Sequence, residues 1–388
     1  MTTLILGGGF GGLTVARELR KLAPAEHEIV LVDRSPAFTV GAAKTWVMLG
    51  EVEAEKVEAP RRNLVPEGVR YLEAEVGRID AEAMEVEAGG ERIRAEALVV
   101  ALGTALSMDA IPGLAEAAET FYTFDGAARL RDRLAEFRGG RIVVLIPRTP
   151  FACPPAPYEA ALLVTEQLRE RGVAHSMRVC TIEGAPMTAA GPEMGAFVKN
   201  LLAERDIEFE PLRNTVRVDA EARRVVFDGG DSVDFDLLIA IPPHVAPPVL
   251  RDAGLVGASG WVAADPATLR AAARPDRRIW VAGDCAGVPL PGRFRPDVAL
   301  ALPKAGTLAE RQGTAVATQI AAELGFGTAE AFDGRGYCWI ELSRSVAMRG
   351  DGEFFATPHP FMRPGEPGED AARDKRRWVE RWLRGEAS

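Results

Sequence analysis

Apolar and polar residues alternate along the amino-terminal part of the chain in a way that predicts a strand, a helix and a second strand. Residues 2–6 form a short apolar run, and residues 13–20 carry apolar positions at helical spacing. A second apolar run, residues 28–32, follows the predicted helix and ends at Asp33. This order is typical of a βαβ unit, in which two parallel strands are joined by a crossover helix.

The same alternation continues over most of the chain. Strands are predicted where apolar runs recur, and helices where apolar positions are three and four residues apart. With 388 residues and about 100–200 residues per domain, the chain is long enough for two or three domains. The further predicted strands are residues 97–104, 141–146, 178–182, 235–241 and 278–284, and the further predicted helices are residues 158–171, 302–324 and 371–384.

A glycine-rich segment joins the first predicted strand to the first predicted helix. Gly7, Gly9 and Gly12 have the GxGxxG spacing that lets a strand turn, approach a pyrophosphate and pack against a helix. The N-terminus of that helix presents N–H groups to phosphate oxygens. Asp33 follows about 20 residues later, where an acidic side chain accepts hydrogen bonds from ribose hydroxyls. Together these features predict a dinucleotide site.

Two later segments indicate which dinucleotide binds. Residues 97–104 end in Gly103-Thr104 and residues 278–284 end in Gly283-Asp284, and both resemble signatures of flavoproteins with two dinucleotide-binding domains. In those proteins the Gly-Asp pair closes on the ribityl chain and pyrophosphate of FAD, although an Asp here could equally cap a helix. The candidate FAD-binding residues are Gly7, Gly9, Phe10, Gly11, Gly12, Asp33, Arg34, Lys44, Val76, Ala101, Gly103, Thr104, Gly283, Asp284, Pro303 and Lys304.

This resemblance implies an α/β fold with two Rossmann-like dinucleotide-binding domains, of the glutathione-reductase-like FAD/NAD(P)-binding type, and a C-terminal segment. We expect the FAD-binding domain in residues 1–112 and 251–325, the second domain in residues 113–250 and the C-terminal segment in residues 326–388. The first strand of the second domain runs into the proline-rich residues 147–157. Because proline has no N–H and cannot form the glycine turn, we predict no nicotinamide nucleotide in the usual place.

The four cysteines exclude several kinds of site. No two of them form a CxxC motif, their spacing does not match a zinc site, and the chain is too long for a secreted disulfide scaffold. An isolated cysteine is most often a small buried apolar residue. We expect that role for Cys180 and Cys285.

Cys153 begins the segment Cys-Pro-Pro-Ala-Pro-Tyr-Glu. This segment closely resembles the flavoprotein subunit of flavocytochrome c sulfide dehydrogenase, and more loosely the sulfide:quinone oxidoreductases. The likeness covers most of the chain, because several other segments occur in the order that this family has. These segments are residues 241–243, 260–261, 283–284, 302–306 and 336–338.

The resemblance implies a redox disulfide between Cys153 and Cys338 beside the flavin, with Glu159 as the proton acceptor. A disulfide sulfur is an electrophile toward hydrosulfide, and attack leaves one persulfide and one thiolate. The implied reaction oxidises sulfide, or a small persulfide, and passes electrons through FAD to a quinone or a cytochrome c. On the residues alone, Glu159 could equally be a solvated carboxylate at a helix start. Pro303 could equally be a helix-start residue, and Lys304 a surface charge.

The FAD is expected to be held non-covalently. The flavocytochrome subunits attach it through a cysteine in a segment resembling residues 38–40, where this chain has Val40. Some quinone-linked members use a cysteine between the Gly-Thr turn and Cys153, and this chain has none there. Two rival functions stay open: an NADH:quinone oxidoreductase of the same fold, and a non-catalytic flavoprotein that serves as a redox or interaction subunit.

Charge and hydropathy bear on the partners. Lys and Arg number 46 against 56 Asp and Glu, a net charge of −10, which argues against nucleic-acid binding. Because there is no apolar run of about 18 residues and no signal peptide, we expect a cytoplasmic protein, with a homodimer as an open option. The predicted helix at residues 371–384 could lie in a membrane interface, or fold back on the domain or a dimer partner. Its apolar face comprises Trp378, Val379, Trp382 and Leu383.

Overall fold

Two parallel sheets form the framework of the protein, as described by a computed structural model over residues 2–295 and 298–386. The first sheet has five strands, all parallel, with the amino-terminal strand at its centre. Its central strands are buried along nearly their whole length, which suits the near-continuous apolar runs of the sequence. In order across the sheet the strands are Ile279–Val281, Ala97–Val100, Thr2–Leu6, Glu28–Asp33 and Arg70–Glu73.

The loop after the first strand lies where the strand order reverses. From Thr2–Leu6 the chain crosses to Glu28–Asp33 on one side and later returns to Ala97–Val100 on the other side. In open α/β sheets, ligands bind at such a switch point, outside the carboxyl ends of the strands. The fold therefore places the glycine-rich loop and Asp33 at the edge where a dinucleotide is expected.

The second sheet repeats the parallel pattern in the middle of the chain. Three of its strands were predicted, with ends that differ from the observed ones by up to three residues. The strand predicted at residues 235–241 is shorter than expected, because Phe235 and Ile241 lie just beyond the paired ladder. The strands, in order, are Ile207–Glu210, His175–Thr181, Gly140–Ile146 and Leu237–Ala240. These two sheets confirm the α/β fold class, whereas the exact domain limits stay a prediction.

The helix that follows Cys153 begins two residues earlier than predicted. It starts at Ala156, with Pro155 at the N-cap and Pro157 in the first turn, where the fixed φ of proline suits a helix start. The helix predicted from residue 302 begins at Gly306 instead. The helices of the described residues are Phe10–Leu22, Lys44–Met48, Leu114–Ala117, Phe124–Glu136, Ala156–Glu170, Pro192–Glu204, Pro248–Asp252, Gly306–Glu323 and Glu369–Arg384.

Smaller sheets surround the two parallel ones. Two are three-stranded and antiparallel, one formed by Val76–Asp80, Glu85–Ala88 and Glu91–Arg94, the other by Thr215–Asp219, Arg224–Phe227 and Ser232–Asp234. Three further strand pairs are Ala37–Thr39 with Glu58–Pro60, Ala105–Leu106 with His244–Val245, and Val262–Ala263 with Ala286–Gly287.

The C-terminal segment forms a three-stranded antiparallel sheet and a long helix. The strands are Arg335–Glu341, Ala347–Glu353 and Phe361–Pro364, and the helix is Glu369–Arg384. Trp378, Val379 and Trp382 of this helix are buried inside the chain, and Leu383 is half-buried. Of the two alternatives for its apolar face, the structure shows the helix folded back on its own chain, which leaves membrane contact through this face without support.

No helix within residues 2–295 and 298–386 has the length and apolar character that crossing a bilayer requires.

Candidate active site

A long cleft runs along the carboxyl edge of the first sheet. It consists of two joined cavities of about 260 and 780 Å³, which share Gly9, Phe10, Ala101 and Gly103 in their walls. The smaller inner cavity lies toward Cys153, and the larger outer one contains Asp33. The cleft is therefore elongated, as a dinucleotide requires.

The glycines of the fingerprint shape the floor of the cleft. A Cβ on Gly7, whose φ is +101°, would lie 2.2 Å from the carbonyl oxygen of Ala101, and one on Gly12 would lie 1.8 Å from that of Gly7. These two positions admit no side chain because backbone occupies the space. A Cβ on Gly9 or Gly103 meets no atom within 4 Å, since both face open cleft. Gly9 and Gly103 thus leave room for a ligand to approach the backbone, which fits a pyrophosphate-bearing cofactor.

Asp33 lies in the outer cavity, at the end of the second strand. Its carboxylate accepts hydrogen bonds from the N–H of Gly8 at 2.7 Å and of Ser35 at 2.8 Å, and Arg61 Nε lies 3.4 Å away. A carboxylate has about four acceptor positions, so Asp33 can still accept from a ribose. Arg61 is a buried residue that no sequence motif marks as functional. Arg34, Val76 and Thr104 line the same cavity.

Two lysines face the inner cavity, Lys304 as a buried residue and Lys44 as a half-buried one. Lys44 Nζ donates to the carbonyl of Tyr122 at 2.5 Å, and burial lowers the pKa of Lys44 to about 8. Burial likewise lowers the pKa of Lys304 to about 8. Burial raises the pKa of Asp284, while the charges of Lys304 and Lys44 act to lower it. The inner cavity therefore has cationic groups that can stabilise negative charge on a bound cofactor.

Lys304 is a core residue, which excludes the surface-charge alternative. Its ammonium donates to the carbonyls of Asp284 at 2.5 Å and Ala286 at 3.2 Å, and it lies 3.5 Å from the ring centroid of Trp261. Pro303 precedes the helix and lines a small void behind Lys304, not the main cleft. The assignment of Pro303 to the cofactor site stays a prediction, and the chain turns Lys304 inward at this point.

The remaining predicted cofactor residues lie beneath the glycine-rich loop or in the walls of the cleft. Gly12 is buried under the loop and acts through close packing, as the distance to Gly7 indicates. The other predicted residues that line the inner cavity, or both cavities, are Gly9, Phe10, Gly11, Lys44, Ala101, Gly103, Gly283, Asp284 and Lys304.

Cys153 and Cys338 line the same inner cavity, although they are far apart in the chain. Cys153 precedes the helix Ala156–Glu170 and has a φ of +56°, a strained value for a residue with a side chain. Its N–H donates to the carbonyl of Lys304 at 2.7 Å. Cys338 lies in the strand Arg335–Glu341. All four cysteines are free thiols in this structure, so the predicted disulfide stays a prediction; both of its cysteines line the same cavity.

The environment of the two thiols is apolar and negatively charged. Burial raises the pKa of Cys153, and the charges of Glu159 and Cys338 raise it further. Burial raises the pKa of Cys338 to about 12, again with a contribution from Glu159. Cys153, Cys338 and Glu159 form one cluster, because all three line the inner cavity. Cys180 and Cys285 are fully buried core residues, as expected.

Glu159 is buried in a charge cluster, so the alternative of a solvated helix-start carboxylate is wrong. Its side chain lines the inner cavity, and Oε1 lies 3.3 Å from Lys375 Nζ. Lys375 also lies 2.8 Å from an oxygen of Glu341. Sequence reasoning missed Lys375, because it lies in a basic helix that resembles a solvated surface, and Glu341, because nothing in its flanks marked it.

Aromatic side chains complete the walls of the inner cavity. Trp378 of the C-terminal helix lines it and stacks on Phe10 with the ring centroids 5.2 Å apart. Trp378 and Trp382 donate their indole N–H groups to Glu310 at 3.0 and 2.9 Å. Tyr122, which was also not predicted, donates its hydroxyl to the carbonyl of Ala152 at 2.9 Å and so supports the loop of Cys153.

A dinucleotide cleft of this fold is the site that an FAD-dependent oxidoreductase needs, and the sequence comparisons assign the chain to that class. The sequence model of the pyridine nucleotide-disulphide oxidoreductases matches residues 1–313. The chain belongs to this family, and FAD is its cofactor.

Among the proteins that are similar to the chain are two curated relatives and one solved structure. Mitochondrial sulfide:quinone oxidoreductase of Mus musculus is 24% identical over 299 residues, which is 74% of this chain and 66% of that protein. Alternative NAD(P)H-ubiquinone oxidoreductase C1 of Arabidopsis thaliana is 31% identical over 200 residues, which is 45% of this chain and 38% of that protein. The chain thus spans a little under two thirds of the length of the mouse protein and well under half of the length of the Arabidopsis protein. The crystal structure of the Aquifex aeolicus sulfide:quinone oxidoreductase has a TM-score of 0.86 at 21% identity, over 99% of this chain and 92% of that one.

Acid denaturation of the holoprotein is expected to release yellow FAD into the supernatant and to leave a colourless pellet. The position at which the flavocytochrome subunits carry the attaching cysteine is Val40 here, a buried residue without a thiol. The cysteines that line the cleft within the described residues are Cys153 and Cys338, which are predicted to bond to each other and not to the flavin. Flavin that stays with the precipitated protein after washing would contradict non-covalent binding.

Proposed function

We propose that the protein oxidises sulfide, or a small persulfide, at a disulfide between Cys153 and Cys338 and passes the electrons through FAD to a quinone. The observation that carries this proposal is the meeting of these two thiols and Glu159 in the wall of one cavity, at the inner end of the dinucleotide cleft. The names of the mouse and Aquifex relatives support sulfide as donor and quinone as acceptor.

The proposed chemistry begins at the disulfide. Hydrosulfide attacks one sulfur and forms a new S–S bond, the Cys153–Cys338 bond breaks, and the other cysteine leaves as a thiolate that holds the electron pair. The proton of the persulfide moves to Glu159, which lines the same cavity. When bound, FAD supplies a two-electron acceptor that can release its electrons singly or in pairs. Lys44, Lys304 and the N-terminus of the helix Gly306–Glu323 provide positive electrostatic potential along that cavity.

The second domain offers evidence against NADH as the donor. Its first strand, Gly140–Ile146, is followed by a proline-rich loop in place of a glycine turn. The acidic residue after its second strand, Glu183, accepts a hydrogen bond from the hydroxyl of Tyr158 at 2.8 Å. Tyr158 is fully buried. NADH is therefore disfavoured by the missing glycine turn after Gly140–Ile146.

An anaerobic titration followed by absorbance of the flavin separates the candidate functions. Sulfide is expected to bleach the flavin, NADH is expected to leave it oxidised, and a soluble ubiquinone analogue is expected to restore the absorbance. Bleaching by NADH and not by sulfide would support the NADH:quinone oxidoreductase. Reoxidation by cytochrome c but not by quinone would assign the other acceptor. A disulfide that forms without bleaching by sulfide would indicate a redox or interaction subunit.

A further inference from the structure

Three buried charged side chains from three distant parts of the chain meet beside the thiol pair. Lys375 of the C-terminal helix lies 3.3 Å from Oε1 of Glu159 and 2.8 Å from Oε2 of Glu341. The exposed fractions of these side chains are 4%, 2% and 8%. Burying charges in this way is costly unless each is paired and hydrogen-bonded, so the partners of each group decide what the cluster can do.

Glu341 is the most firmly anchored member of the cluster. Its Oε1 accepts the indole N–H of Trp46 at 2.6 Å, and its Oε2 accepts the hydroxyl of Thr45 at 2.9 Å as well as Lys375. Its side chain does not line the inner cavity in the described residues. Glu341 lies three residues after Cys338, in the same strand. It can therefore hold Lys375 in place without contacting anything that reacts.

Glu159 is held by one oxygen and leaves the other available. Oε1 accepts the N–H of Glu341 at 2.8 Å and the ammonium of Lys375. Among the described residues, Oε2 has no hydrogen-bond donor within reach, and the side chain lines the cavity with Cys153 and Cys338. This asymmetry identifies Oε2 as the atom that can take a proton from the cavity.

We propose that Lys375 and Glu341 are positioning residues that orient Glu159 and set its charge state for proton transfer at the Cys153–Cys338 pair. This inference rests on the proposed function, because it assigns to Glu159 the proton released in the sulfide step. Lys375 and Glu341 act through Oε1, and Oε2 receives the proton. The C-terminal helix thus completes the sulfur site of its own chain.

The electrostatic effects of the two residues on Glu159 have opposite signs. Burial raises the pKa of Glu159, the ammonium of Lys375 lowers it, and the carboxylate of Glu341 raises it. The other titratable groups that face this cluster are Cys153, Cys338 and Tyr122. The charge of Lys375 also acts to lower the pKa of both thiols, which favours the thiolate produced in the sulfide step.

The step that the cluster serves is balanced in atoms and charge. Hydrosulfide and the disulfide give one cysteine persulfide, which carries the proton, and one thiolate, which carries the electron pair. The persulfide proton then moves to Oε2 of Glu159, so that a carboxylate becomes a carboxylic acid and the persulfide becomes an anion. Glu159 must be unprotonated beforehand, so the rate of this step rises with pH through the pKa of Glu159.

The test compares Lys375→Met and Glu341→Gln with Arg377→Met, which removes a charge from the exposed face of the same helix. The first readout is the pH dependence of single-turnover flavin bleaching by sulfide. The second readout is an infrared titration of the protonated-carboxyl band that disappears in Glu159→Gln. We expect the midpoint to move up by about one pH unit or more in Lys375→Met and to move down in Glu341→Gln. Arg377→Met should leave it unchanged, and Lys375→Arg should restore most of the wild-type value.

Opposite shifts support the positioning role, because a merely structural role would not give the two variants opposite signs. Shifts in the same direction, or no shift, in variants that retain FAD and the wild-type circular dichroism spectrum would overturn it. If Lys375→Met does not fold, Glu341→Gln decides alone, since an unchanged or raised midpoint contradicts the proposal. If the infrared midpoints of the two variants shift in opposite directions but sulfide does not bleach the flavin of the wild-type protein, the proposed function is refuted and the positioning role remains.

Discussion

Replacing Cys153 by serine is expected to leave FAD bound and to slow bleaching of the flavin by sulfide by on the order of 10³-fold or more. A serine hydroxyl cannot form the disulfide, so hydrosulfide has no electrophilic sulfur to attack. Cys153 contacts the cleft from a loop supported by the carbonyl of Lys304, and the change from sulfur to oxygen leaves that backbone contact in place. Stopped-flow absorbance of the holoenzyme under anaerobic conditions measures the effect.

The same loss of flavin bleaching is expected for Cys338→Ser, because neither cysteine can form the disulfide without the other. Cys180→Ala is the control: Cys180 is fully buried in the strand His175–Thr181 of the second sheet, so its removal should leave the bleaching rate within a few-fold of wild type. Undiminished reduction by sulfide in Cys153→Ser would remove the disulfide from the mechanism.

Gly9→Ala is expected to leave the fold intact and to weaken FAD binding by at least about tenfold, or about 1.4 kcal/mol. An added Cβ at Gly9 meets no protein atom within 4 Å, and it projects into the part of the cleft that both cavities share. The methyl group would therefore occupy space that the backbone leaves for the pyrophosphate. Titration of the apoprotein with FAD, followed by quenching of flavin fluorescence, gives the change in affinity.

A glycine outside the cleft provides the matched control. Gly327→Ala would place its Cβ 3.6 Å from Ala321, an ordinary contact, and should leave FAD affinity unchanged. Gly12→Ala should fail differently, by loss of folded protein, because its Cβ would overlap the carbonyl of Gly7. Unaltered FAD affinity in Gly9→Ala would mean that the pyrophosphate does not pass this point.

The parts of the site that local sequence defines were predictable. The turn at Gly7, Gly9 and Gly12 needs glycine for steric reasons that act within the loop and against the next strand, so the spacing alone indicates it. Asp33 follows from its place at the end of the second strand. The absence of a glycine turn after Ile146 is equally local. It predicts that no nicotinamide nucleotide binds in the usual place, which stays a prediction.

The parts that depend on contacts between distant residues were not predictable from patterns. Lys375 and Glu159 are separated by 216 positions, and a lysine among arginines on an amphipathic helix looks solvated until the helix is seen to pack inward. Glu341 carries no local signal, because its role comes from Trp46 and Thr45 in another element. The same holds for the buried state of Lys304, which depends on the ring of Trp261.

Trapping the sulfur adduct tests the central claim most directly. The oxidised holoenzyme is mixed anaerobically with one equivalent of isotopically heavy sulfide, quenched with iodoacetamide, digested and analysed by mass spectrometry. While the flavin is still oxidised, the account predicts heavy sulfur as an alkylated persulfide on Cys153 or Cys338 and an ordinary alkylated thiol on the other. Once the electron pair has bleached the flavin, it predicts the heavy sulfur in a trisulfide that joins the two cysteines. A bleached flavin with no heavy sulfur on either cysteine, or heavy sulfur on Cys180 or Cys285 instead, would contradict it.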